Sequence, residues 1–170
     1  MRKAKDTASR VRLANAVAAA VLAVAFLGHA LLGSLAHLEP LPAPPMALLW
    51  ALVGVACAHA ALSVATTVFM WRDTERPPSA RKKRHQLLKW VSGAALAVAI
   101  ALHVAQVPLF GLSQGATALV LLAAFTWHGW AGMKSLSRDL GASSALKKPL
   151  RAVLCAGVGA CVAMMASAVL

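Results

Sequence analysis

Apolar residues dominate this chain in five blocks of about 20 residues or more, divided by short segments rich in proline, glycine or charge. Inside the blocks Ala, Val and Leu follow one another without the strict apolar–polar alternation that a membrane β-barrel carries over strands of about 10 residues. A helix of about 20 apolar residues crosses a hydrocarbon core of about 30 Å. The pattern therefore predicts five transmembrane helices, at about residues 12–37, 46–71, 86–107, 116–137 and 150–170. The breaks carry their own chemistry. Pro40, Pro42, Pro44 and Pro45 cannot continue a helix. Pro77 and Pro78 open the second break, Pro108, Gly111 and Gly115 make a tight apolar turn, and Gly141 starts the last one. The expected architecture is an all-α, single-domain membrane bundle with no internal repeat.

Composition sharpens this picture. Sixty per cent of the residues are hydrophobic and 13% are charged, against roughly 25% charged in soluble domains. Mean hydropathy is +0.72. The first apolar run is too long for the 7–15-residue core of a signal peptide, so it reads as a retained helix. The net charge of +12 would suggest nucleic acid in a soluble protein, but the placement of the charges points elsewhere. Arg2, Lys3, Lys5, Arg10 and Arg12 precede the first helix. Arg72, Arg76, Arg81, Lys82, Lys83, Arg84 and Lys89 surround the second break. Lys134, Arg138, Lys147, Lys148 and Arg151 surround the fourth. These groups account for all 17 basic residues, and the first and third breaks contain none. Loops rich in Lys and Arg stay in the cytoplasm. Five spans then put the N-terminus inside and the C-terminus outside.

The candidate chemistry lies in four histidines, one in each of the first four helices: His29, His59, His103 and His128. With a rise of about 1.5 Å per residue, His29 and His103 fall about five residues past the midpoints of two helices running outwards. His59 and His128 fall at or just inside the midpoints of two helices running inwards. The result is an outer pair and an inner pair, separated by roughly 10 Å along the membrane normal. Facing side chains in helix bundles commonly hold cofactors, and imidazole suits iron. Two rings at one depth on different helices can supply both axial ligands of a b-type haem. Each ring's second nitrogen then needs an acceptor, and Ser63, one turn beyond His59, is a candidate for that neighbourhood. A lone membrane histidine more commonly makes a helix contact or serves a proton path. Four, on four helices and paired by depth, favour ligation. Carboxylates and lysines are absent from the helix centres, which weighs against an ion-coupled transporter. His37 and His85 lie in or beside loops. His37, near Glu39, is a candidate border of a quinone pocket. Cys57, Cys155 and Cys161 lie in apolar stretches and act as small apolar residues. No C-x-x-C-H is present, which excludes covalent c-type haem attachment.

Four short motifs carry a family resemblance: Gly28-His29-Ala-Leu-Leu, Ala58-His59-Ala-Ala-Leu, Trp90-Val-Ser-Gly93 followed by Leu102-His103-Val, and Trp127-His128-Gly-Trp. Taken together over nearly the whole chain, they resemble the di-haem, five-helix cytochrome b anchor subunits of succinate dehydrogenases and fumarate reductases. The resemblance implies two b haems, held by His29 with His103 and by His59 with His128, and no ligand from the fifth helix. It implies a flavoprotein and an iron–sulfur subunit docked on the cytoplasmic face. It implies menaquinone or another quinone as the diffusing redox partner, in the inner membrane of a prokaryote. Catalytic residues for the dicarboxylate would then lie on a partner chain. The basic loops suit such subunits and suit anionic lipid equally. Two alternatives stay open: a haem-free anchor or assembly subunit whose histidines pack helices, and a quinol-oxidising cytochrome serving another reductase.

Overall fold

The computed structural model describes residues 2–36, 45–72, 77–105, 114–143, 145 and 147–167. Among them are five helices and no strand: α1 (Arg2–Leu35), α2 (Met46–Arg72), α3 (Ala80–Val104), α4 (Gln114–Asp139) and α5 (Lys147–Ser167). All five are long and apolar enough to cross a membrane. Their outward-facing residues are large and apolar, with Val24 74%, Trp50 68% and Val153 63% exposed. Apolar surface on that scale is not left to water in a soluble monomer, so the chain is a multi-pass membrane protein.

Two helices begin earlier than the apolar pattern suggests. At 34 residues α1 is about 50 Å long, more than a bilayer core requires, and its basic N-terminal segment is helical rather than a separate tail. Similarly, α3 starts at Ala80, so Arg81 to Arg84 lie in its first turns. Lys and Arg are good helix formers, and local capping completes the effect. The Ser79 side chain accepts from the Lys82 backbone N–H, and its carbonyl accepts from that of Lys83 at 3.0 Å. Beyond its last residue, Asp139, α4 is closed by Gly141, whose φ of 69° is a left-handed conformation that glycine adopts without steric cost. Ala142 N–H donates to the Ser137 carbonyl at 2.8 Å and Gly141 N–H to that of Arg138 at 3.1 Å, the paired bonds of a Schellman motif.

The closest packings are α1 against α2 and α3 against α4. The molecule is thus two helical hairpins, joined where α1 meets α4, with α5 packed across α1 and α4. The core is a cluster of Phe125, Met133 and Leu154, with Phe26, Leu27, Leu96 and Val158 around it. At its centre the Phe26 and Phe125 rings stack, with centroids 4.0 Å apart and planes 12° from parallel. Arg151 lies over the Trp130 ring at 4.7 Å and ties α5 to α4. Neither α1 with α3 nor α2 with α4 is among the closely packed pairs. Those are the two diagonals that separate the histidines of each pair.

Candidate cofactor-binding site

The first hairpin carries His29 and His59, and the second carries His103 and His128. Each pair therefore reaches from one hairpin to the other. In the inner pair the rings of His59 and His128 meet, with centroids 6.4 Å apart and planes at 78°. Metal–nitrogen bonds of about 2 Å on either side of one metal atom, plus about 1 Å from each nitrogen to its ring centre, give roughly 6 Å. The separation fits two imidazoles that share one metal.

His128 is held in place from α3. Its Nδ1 lies 3.1 Å from the Ser92 hydroxyl, and Ser92 is completely buried. That hydroxyl has one hydrogen, and the Lys89 carbonyl accepts it at 3.2 Å. Ser92 is then left to accept from Nδ1–H, so Nε2 keeps its lone pair. Gly93 makes the slot for the ring: a Cβ there would stand 3.2 Å from His128 Cε1 and 3.4 Å from Nδ1. A small residue one position after the hydroxyl is what lets α3 approach this closely.

His59 is held differently. The Asn15 backbone carbonyl lies beside its ring, as the Lys89 carbonyl lies beside that of His128. Its Nδ1 is buried without a hydrogen-bond partner. Ser63 does not serve it: the Ser63 hydroxyl donates to Asn15 Oδ1 at 3.2 Å. Asn15 on the neighbouring helix competes for the hydroxyl, a contact that spacing along α2 alone does not reveal. Beyond Ser63, towards the same end of the bundle, Gln86 Nε2 and Trp90 Nε1 donate to Thr67 Oγ1 at 2.9 and 3.3 Å. Thr67 donates in turn to the Ser63 carbonyl at 2.8 Å. These bonds link α1, α2 and α3 beneath the inner pair.

The outer pair is looser. His29 lies close enough to His103 to act on it electrostatically. His29 is exposed on the bundle surface while His103 is half-buried, and His103 Nδ1 is buried without a partner. An unpaired buried nitrogen costs about 1–3 kcal/mol. Each pair therefore contains one ring with an unmet polar demand, His59 in one and His103 in the other. That demand, the inner-pair separation and the weakly packed diagonals fit a bis-histidine cofactor between the hairpins.

Among the described residues no group of three or more His, Cys, Asp or Glu gathers as a metal site, so each site rests on two histidines. His85 lies in the first turns of α3 among Lys89, Lys134, Arg138 and Arg81. His37, the expected border of a quinone pocket, lies outside the described residues. Two shallow surface cavities of about 500 and 490 Å³ open on the helices, and none of the four histidines lines either. Cys57 and Cys155 are exposed and Cys161 is buried, all as free thiols.

Sequence reasoning missed Lys89. It groups with the basic break by charge, yet it lies well inside α3, half-buried, with Nζ 3.5 Å from Ser135 Oγ on α4. The signal was present in the spacing: four residues without basic charge other than His85 separate it from Arg84, and it stands one turn before Ser92. Comparison with family models, with curated proteins and with solved structures gives no match.

Proposed function

We propose that this chain is the cytochrome b anchor of a membrane dehydrogenase or reductase of the succinate–fumarate type. It would carry electrons between a cytoplasmic iron–sulfur subunit and a membrane quinone, in a prokaryotic inner membrane. The observation that carries the reading is the approach of His59 and His128 across the two hairpins, at a separation suited to one shared metal atom. His59 and His128 hold the inner b haem, and His29 and His103 the outer one. A haem in such a site supplies a one-electron Fe(III)/Fe(II) couple whose potential is set by axial ligands, burial and hydrogen bonding.

The protein's part is positional. Ser92 fixes the tautomer and direction of His128, whereas His59 has no such partner at Nδ1. The Phe26–Phe125 stack belongs to the layer between the pairs: Phe26 is one turn from His29 and Phe125 one turn from His128. With the basic loops cytoplasmic, the inner pair stands nearer the docking face for an iron–sulfur partner. A pyridine haemochrome assay with a reduced-minus-oxidised spectrum on the purified chain tests the reading. Two b haems per chain are expected. Each single histidine-to-alanine variant among the four should lose one of them. A chain without a Soret band overturns the proposal in favour of a haem-free anchor. Four alanine variants that all retain two haems overturn the ligand assignment.

A further inference from the structure

Lys89 is a cation inside an apolar span, and such a group persists where something compensates its charge. Its Nζ contacts the Ser135 hydroxyl at 3.5 Å, a long bond to a neutral partner. Among the described residues the carboxylate that acts on it is Asp139, and Asp139 Oδ1 is already taken by Arg138 Nε at 2.8 Å. Inward, Lys89 is the charged neighbour common to both rings of the inner pair, His59 and His128. Its own carbonyl receives the Ser92 hydroxyl that positions His128. The ammonium thus stands towards the basic end of the bundle from the inner histidines, with no full counter-charge among the described residues.

We infer that Lys89 is the cationic partner of a propionate carboxylate of the inner haem, and that it sets this haem's potential above the value the two histidines alone would give. The inference rests on the bis-histidine reading proposed above. A b haem carries two carboxylates at one edge, and an ammonium one turn before Ser92, close enough to act on both inner rings, would be placed to meet one of them. The sign follows from charge. A positive group nearby disfavours the more positive oxidised iron, so removing it lowers the potential.

The test is a potentiometric titration of the purified holoprotein, with Lys89→Gln and Lys89→Arg beside the unaltered chain. In Lys89→Gln the reduced-to-oxidised ratio of the inner haem at a fixed ambient potential should fall on the order of tenfold, as for a unit charge at roughly 10 Å in an effective dielectric of about 20. Tenfold is about 59 mV for a one-electron couple. The outer haem should not move, and Lys89→Arg should restore the inner value to within about a third of the shift. Loss of the inner haem in Lys89→Gln with retention in Lys89→Arg also supports the pairing, since only the charge is then required. Two haems at unchanged potentials in Lys89→Gln overturn it, as does loss of the inner haem from both variants, which makes Lys89 a packing residue. Absence of haem from the unaltered chain is a different result, and it overturns the parent reading instead.

Discussion

The inner and outer histidine pairs use the same residue on the same two hairpins, yet they are built differently. Around the inner pair, helices approach closely and polar groups interlock. Ser92 meets His128, Asn15 bridges to Ser63, and Thr67 gathers Gln86 and Trp90. Around the outer pair His29 is exposed, and His103 Nδ1 has no partner, as His59 Nδ1 has none in the inner pair. The difference shows that a histidine gains a defined orientation through its surroundings. A hydroxyl with one committed hydrogen selects a tautomer, and a glycine on the facing helix selects a ring position. Where neither is present, only depth along the helices relates the two rings.

The widest separation between the pairs comes from removing a ligand. His59→Ala should eliminate the inner haem and leave the outer haem's spectrum intact, measured as a fall from two to one haem equivalents. His29→Ala should do the reverse. If His29→Ala left two haems, His29 would not be a ligand and the outer assignment would fall while the inner one stood. Phe125→Ala comes next, because it acts on the layer both pairs share. Truncating a buried Phe costs about 3–5 kcal/mol, and Phe125 is 7% exposed. Thermal unfolding in detergent should show a lower midpoint with both haems destabilised together. A loss confined to one pair would show that the stack belongs to that site rather than to the bundle.

Ser92→Ala is smaller and local. Groups that orient a metal ligand are worth about 10- to 100-fold in metal affinity. Transfer of haem to an acceptor protein should therefore quicken by at least about tenfold for the inner haem only. Equal rates for the two haems would mean that Ser92 does not orient His128. Ser63→Ala should be the mildest. It removes one hydrogen bond worth about 0.5–1.5 kcal/mol and leaves His59 Nδ1 as it was. Haem content and potentials should stay unchanged while stability falls slightly. A change in the inner haem would show that Ser63 acts on His59 after all, through Asn15.

Much of the fold is legible along the chain because a bilayer imposes a single demand. With no water to satisfy backbone groups, a spanning segment must be helical, so length and hydropathy suffice to find all five elements. Helix ends were less legible. The starts of α1 and α3 lie in basic segments whose charge reads as loop but whose residues favour helix, and Ser79 supplies the cap. The histidines stand out because polar groups are rare in such surroundings, and the helical rise places them in layers. The groups that hold them do not stand out. Ser92 is one serine among several, Ser63 is a plausible acceptor whose hydroxyl is directed to another helix, and Lys89 is hidden by its resemblance to the basic run before it.

What the sequence by itself determined is everything with a one-dimensional cause: five apolar helices, the breaks between them, the alternation of breaks with and without basic residues, and the depth of each histidine along its own helix. Rotation about the helix axes and the choice of neighbours were decided only in three dimensions. The α1–α2 and α3–α4 hairpins meet through α1 and α4, with the aromatic stack at that seam. This packing turns Ser92 and Gly93 towards His128, sends the Ser63 hydroxyl to Asn15, and brings the Lys89 ammonium to Ser135 on α4. The physical reason is that large apolar residues stand on the outward faces of these helices as well as inside, so an apolar position does not mark a buried face. Close contacts between small residues and a few hydrogen bonds then select the arrangement.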